Sequence, residues 1–454
     1  MIYLFFRTLM RLTLKVYFKN IQVKGIENIP ENGPVFFVAN HPSAFMDPIV
    51  IASAIKRPTF FLAKGVIFQN KFESKILSKF HGIPIFRSHE TPGLTSKNKE
   101  TFSTCYNHFK KGGTILAFPE GVSLTERKIK KIQSGVARIC LGAEAENNFS
   151  LNIKIIAIGL NYSNPHQFNE DVFINIGKPI QVSDFIELYK KDSFKAAHAL
   201  TDEIRKSIES QVVAIEDSQT DKLVHQIELM FKAQLLNDLG YNTKQLEQDF
   251  NTTKSISDSV HYFLKEEPHR VEKIKYNIEM YLNELDNLSL NDSIIQSFER
   301  TFSNLNAIKT LSYLFLGLPF FLFGLVNNYL PFKMPGWIAG LISKRPEFRG
   351  SIAISVGTFT FLIFYLVQMI MISKYFNDPR ITFSYLLLSI VCGLFAFNYY
   401  KRAKSFSGHR KVFSLFFRKS KLIAKIILKR QMIIDELEKG RRDFLDAKQT
   451  NKVY

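Results

Sequence analysis

The run Ile352 to Ile372 holds only one strongly polar residue, Gln368, and no charged one. A helix needs about 20 apolar residues to cross the hydrocarbon of a bilayer, so this segment commits the chain to a membrane and, because lipid offers no partners for free backbone groups, to helix at that point. A second, shorter span reads at 383–400. A third apolar run, Leu311 to Leu330, carries Gly317, Pro319, Gly324 and the pair Asn327-Asn328, which leaves it open as a span or as a re-entrant hairpin. Lys401 to Arg430 is strongly basic, and such tails stay in the cytoplasm. Three spans would put this tail opposite the N-terminal part of the chain, so two spans are expected, with 311–330 re-entrant or interfacial and Lys333, Lys344, Arg345 and Arg349 on the cytoplasmic side.

The formal charge of +19 and pI near 9.6 call for an anionic partner. Nucleic acid and anionic lipid are the two candidates. Forty-three phenylalanines and the apolar C-terminal runs favour lipid, and no nucleic-acid motif is present. Residues 403–454 read as a basic amphipathic tail, with Phe416, Phe417, Leu422, Ile423, Ile426 and Ile427 among Lys and Arg. Residues 1–25 read as an amphipathic interface helix whose Arg7, Arg11, Lys15 and Lys19 recur every four residues, either turned toward lipid phosphates or packed on the following domain. Charges interrupt its apolar stretch, so it does not read as a signal peptide. Residues 186–305 carry helical spacing, for instance Leu200, Ile204 and Ile208, then Val271, Ile274, Ile278 and Leu282, and read as a helical connection. The membrane region is placed at 306–402.

The chemistry-bearing residues lie before 185. Pro34 to Ala39 (PVFFVA) reads as a buried strand, with further strands near Thr59 to Ala63, Gly113 to Phe118, Lys154 to Asn161 and Asp171 to Ile176. The first strand ends in Asn40-His41-Pro42-Ser43-Ala44-Phe45-Met46-Asp47. Pro42 biases His41 to extended backbone, and six helical residues would separate His41 and Asp47 by roughly 240°. The two can therefore meet only across a turn. If they do, the carboxylate fixes the imidazole tautomer and leaves the other ring nitrogen as a general base. Gly82 to Arg87 (GIPIFR) and Phe118-Pro119-Glu120-Gly121-Val122-Ser123 follow at intervals of roughly 40 and 30 residues.

In this order the blocks resemble the glycerolipid acyltransferase (PlsC-like) family over about the first 180 residues, to Gly177-Lys178-Pro179-Ile180. The resemblance implies an α/β domain with a mixed sheet at 26–185, followed by the helical region and the C-terminal transmembrane helices. It implies that His41 is the general base and Asp47 its orienting acid. Arg87 would bind the acceptor's phosphate, and Glu120 and Gly121, with Ser123 nearby, would hold the acceptor. Five residues separate His41 from Asp47 where four are usual, which together with the Asn-His-Pro start resembles the subset holding yeast-type glycerol-3-phosphate acyltransferases. Val122 stands where threonine is common, and Ala157 where proline is usual.

The function implied is transfer of a fatty acyl group from an acyl-CoA or acyl-carrier-protein thioester to glycerol 3-phosphate or lysophosphatidic acid in phospholipid biosynthesis, with no cofactor and no metal. No Gly-x-Ser-x-Gly elbow is present, which disfavours a covalent acyl-enzyme. Two alternatives stay open: acylation of another lyso-lipid or an amino-acid lipid, and a non-enzymatic lipid-binding scaffold. Cys105, Cys140 and Cys392 are too widely spaced to suggest a disulfide framework or a zinc site. The expected partners are membrane lipids, the acceptor and the thioester donor. The expected location is a bacterial inner membrane with the catalytic domain cytoplasmic.

Overall fold

The computed structural model describes residues 2–87, 93–241, 245–301, 304–418 and 420–450. The chain divides into two units, the first made of residues 1–217, 244–250 and 339–354, the second of the remainder.

The first unit is built on an eight-stranded sheet: β1 (Asn20–Lys24), β2 (Val35–Ala39), β3 (Thr59–Lys64), β4 (Gly82–Ile85), β5 (Thr114–Ala117), β6 (Lys154–Tyr162), β7 (Asp171–Ile176) and β8 (Ile180–Gln181). Their order is β1-β7-β6-β2-β5-β3-β4, with β8 beside β6. β6, β2, β5, β3 and β4 run parallel, whereas β7 and β8 pair antiparallel with β6, so the sheet is mixed. β2 lies near its centre with all five residues buried. Alternate residues of its apolar run enter two different cores, as a strand covered on both faces requires. Phe36 and Val38 face the helices Asn98–Lys110, Gly135–Glu146 and Ser193–Gln211, while Val35 and Phe37 face α1 (Ile2–Tyr17) and α2 (Met46–Ala54). β4 holds Pro84 without penalty because it is an edge strand, where a missing N–H leaves no ladder bond unmade.

The N-terminal helix packs on this domain through Leu14 and Tyr17. Its arginines do not form the lipid-facing stripe that their spacing allows. Arg7 donates to the carbonyl of Ile55 (2.5 Å) and Arg11 to that of Ser53 (2.8 Å), so both cations cap the open C-terminal carbonyls of α2. Residues 339–354 also belong to this unit. Ile354 joins the core that holds Phe37, and Gly350 lies so close to the loop after β6 that a Cβ there would sit 2.3 Å from the Pro165 carbonyl oxygen.

The second unit is helical. Three helices are long and apolar enough to cross a membrane, Ile308–Ile342, Pro346–Phe376 and Pro379–Ser407. The first corrects the expected hairpin: Asn304–Ile342 is one helix with Pro319, Pro331 and Pro335 inside it. Each proline deprives the carbonyl four residues earlier of its helical partner. Two of those carbonyls are re-satisfied by the next apolar helix, Asn327 by Gln368 Nε2 (3.0 Å) and Pro331 by Thr360 Oγ1 (3.3 Å).

The tail helix Ser420–Thr450 also differs from expectation. Ile423 and Ile426 are fully buried in protein, and Arg430 is spent on an interior ion pair with Asp292 (2.8 Å) that Tyr281 also bonds. This apolar stripe covers helices of its own unit rather than a lipid surface. The side chains of Phe416 and Phe417 lie outside the described residues.

Candidate active site

The end of β2 is fixed before its functional residue begins. Asn40 prolongs the β2–β6 pairing with its side chain, donating to the Leu160 carbonyl (3.0 Å) and accepting from the Leu160 amide (2.7 Å). His41 follows, its ring stacked on Phe118 at a centroid distance of 4.0 Å and an interplanar angle of 15°. Phe118 closes the neighbouring parallel strand, β5, so the imidazole stands at the carboxyl ends of two central strands, where ligand sites of α/β sheets gather.

The chain then turns through Ser43 and Ala44, the latter at φ +41°, and enters α2 with Asp47 in its first turn. The turn brings His41 Nδ1 to 2.8 Å from Asp47 Oδ2, so the five-residue interval is spanned as the proline and the spacing require. Asp47 is fully buried and fully engaged. Besides the imidazole it accepts from the Ser43 amide (2.8 Å) and from the Tyr162 hydroxyl (2.9 Å), and the positive end of α2 favours its charge. Burial and the adjacent carboxylate push the Tyr162 phenol well above its usual range, which keeps it a donor. An acceptor-only partner on Nδ1 puts the ring proton there and leaves the Nε2 lone pair for chemistry.

The other expected residues surround this pair. Glu120 is buried, and its two oxygens accept from the amides of His41 (3.2 Å) and Lys130 (3.0 Å). Burial holds its carboxyl above the usual value, against the lowering effect of those two amides. Ser123 Oγ accepts from the amide of the strained Ala44 (2.8 Å). Gly121, at φ +74°, offers its carbonyl to Arg87 Nη1 (2.5 Å), and a Cβ there would lie 2.4 Å from that nitrogen. The loops after β2, β4 and β5 thus converge, and Glu120 and Ser123, singled out as acceptor contacts, hold the amides that shape the His41 loop. Tyr162, which closes β6 and was not singled out from the sequence, bonds the other carboxylate oxygen of Asp47. Among the described residues no three His, Cys, Asp or Glu side chains gather as a metal site.

A buried carboxylate that bonds a histidine at the end of a parallel strand, with an arginine at the neighbouring loop, is an arrangement chemically able to take a proton from a hydroxyl beside an anionic group. Residues 20–161 match the family model described as Acyltransferase. The matched stretch ends inside β6, and the sheet continues through β7 and β8. Glycerol-3-phosphate O-acyltransferase 1 of Saccharomyces cerevisiae is 22% identical over 310 residues, covering 49% of this chain and 41% of that protein. Glycerol-3-phosphate O-acyltransferase 2 of the same yeast is 30% identical over 112 residues, 24% of this chain and 15% of that one. The crystal structure of the 1-acyl-sn-glycerophosphate (LPA) acyltransferase PlsC from Thermotoga maritima is 20% identical with a TM-score of 0.30, covering 45% of this chain and 79% of that one. The chain spans less than half the length of these yeast relatives.

Proposed function

We propose that this protein transfers a fatty acyl group from an acyl-CoA or acyl-carrier-protein thioester to a hydroxyl of glycerol 3-phosphate or lysophosphatidic acid, with His41 as general base. The observation that carries this reading is the 2.8 Å His41–Asp47 pair in one loop cluster with Arg87. His41 Nε2 takes the acceptor proton as the hydroxyl oxygen attacks the thioester carbonyl carbon. The tetrahedral adduct collapses, the C–S bond breaks, and the imidazolium returns the proton to the departing thiolate. Arg87 meets the acceptor phosphate as a planar, permanently charged donor. The test is transfer from labelled palmitoyl thioester by membranes bearing the wild type or His41→Ala, with the two acceptors offered separately. Transfer to one acceptor that the variant loses supports the reading; transfer that survives in His41→Ala, or none to either acceptor from either donor, overturns it.

The same reading includes a two-span topology. Residues 339–354, the junction of the first two apolar helices, are packed into the acyltransferase unit and therefore share its side of the membrane. On this reading the second and third apolar helices cross and return. Acyltransferase unit and basic tail share the cytoplasmic face. In a background lacking the three native cysteines, single cysteines at the exposed positions Glu100 and Lys439 are expected to react with an impermeant maleimide from the same face, and one at Asn377 from the opposite face. Reaction of positions 100 and 439 from opposite faces would exclude this arrangement.

A further inference from the structure

The turn between His41 and Asp47 is not closed by its own residues alone. Ser351, in the first turns of the second apolar helix, is 1% exposed and reaches the turn across more than 300 positions of sequence. Its hydroxyl donates to the Ser43 carbonyl (2.6 Å) and accepts from the Met46 amide (2.9 Å). Ser43 also gives its amide to Asp47, and Met46 is the residue before Asp47. One hydroxyl therefore clasps both ends of the turn that carries the strained Ala44 and sets the His41–Asp47 distance. Gly350, without a side chain, lets this helix approach the Pro165 carbonyl, and Phe348 packs near Phe45 (5.9 Å between centroids).

We propose that Ser351 is a positioning residue for the His41–Asp47 pair, so that the helix entering the membrane is a working part of the active-site loop. A hydroxyl is suited to this task because it supplies one donor and one acceptor at a single atom, matching the carbonyl and amide that the turn presents there. Alanine would fill nearly the same volume and leave both backbone groups with only each other, 2.9 Å apart. The turn would keep its fold and lose its outer clasp. The catalytic consequence rests on the general-base reading above, but the geometric one does not.

The experiment compares wild type, Ser351→Ala, Ser351→Thr and Gly350→Ala in native membranes by two readouts. The first is acyl transfer at a single pH, normalised to folded protein. Ser351→Ala is expected to lower kcat about 10-fold with KM for donor and acceptor within twofold. Ser351→Thr retains the hydroxyl and should recover most of the rate, whereas Gly350→Ala, which pushes the helix off Pro165, should resemble Ser351→Ala. The second readout is the peptide-resolved carbethoxylation rate of His41 at that same pH, which needs no turnover. That rate should rise in Ser351→Ala, whose loosened turn opens the imidazole to the reagent, and return toward the wild-type value in Ser351→Thr. If the wild type transfers nothing, the acyltransferase reading fails, and this second measurement still decides the role of Ser351. A Ser351→Ala protein with wild-type kcat and an unchanged His41 carbethoxylation rate would overturn the proposal.

Discussion

Replacing His41 by alanine is expected to lower kcat for acyl transfer by about 10²- to 10⁴-fold, the usual contribution of a positioned general base. Asp47→Asn should come close to the same loss. Asp47 accepts three hydrogen bonds, from His41 Nδ1, the Ser43 amide and the Tyr162 hydroxyl, and all three groups are donors when the ring carries its proton on Nδ1. An asparagine has one acceptor oxygen, so its amide nitrogen must face either His41 and the Ser43 amide, which share Oδ2, or Tyr162, which bonds Oδ1. If it faces His41, the ring proton moves to Nε2 and the base is lost. If it faces Tyr162, a buried hydroxyl must reverse, and leaving any of these donors unmet costs about 1–3 kcal/mol. Single-turnover rates with saturating thioester separate the chemical step from binding, and KM for both substrates should change little. An Asp47→Asn enzyme within threefold of the wild-type rate would remove Asp47 from the mechanism.

What the sequence made legible follows from where each element is buried. β2, β5 and β6 are covered on both faces, so they appear as continuous apolar runs, and the strands expected at 34–39, 113–118 and 154–161 match Val35–Ala39, Thr114–Ala117 and Lys154–Tyr162 within a residue. β1 and β4 escaped because they are the two edges of the sheet. An edge strand tolerates Gln22, Lys24 or Pro84, and such residues erase the pattern that marks a core strand. The His41–Asp47 pair was legible for a different reason: Pro42 and a six-residue interval leave only a turn by which the groups can meet.

Other parts depended on partners that no local pattern names. The four-residue spacing of Arg7 and Arg11 describes a helix face but not what lies against it, and the C-terminal carbonyls of α2 took the place assigned to lipid phosphates. The tail's basic, apolar alternation fits a membrane surface equally well until Asp292 is found beside Arg430. The prolines of the first apolar helix suggested a break, yet Gln368 and Thr360 supply the bonds that keep it helical. Ser351 is the extreme case, since a serine within an apolar run carries no mark of the loop it clasps.

Arg87→Ala is expected to cut kcat/KM for a phosphate-bearing acceptor by about 10- to 150-fold, corresponding to the 1.5–3 kcal/mol typical of hydrogen bonds to a charged group. The donor's KM should stay within twofold. The structure supplies a competing account, because Arg87 already bonds the Gly121 carbonyl and so braces the loop that carries Glu120. A brace and a phosphate ligand predict different patterns. If Arg87 only braces, its removal disturbs the His41 amide through Glu120, and every acceptor suffers alike, including one without a phosphate such as monoacylglycerol. If Arg87 binds phosphate, the phosphate-free acceptor, poor in the wild type, is hardly poorer in the variant. Arg87→Lys sharpens the distinction, since an ammonium keeps the charge but lacks the planar fork, and should restore part of the phosphate-dependent rate while making a weaker bridge to Gly121. Equal losses for both acceptors in Arg87→Ala would assign this arginine to the loop and leave the phosphate to another cation.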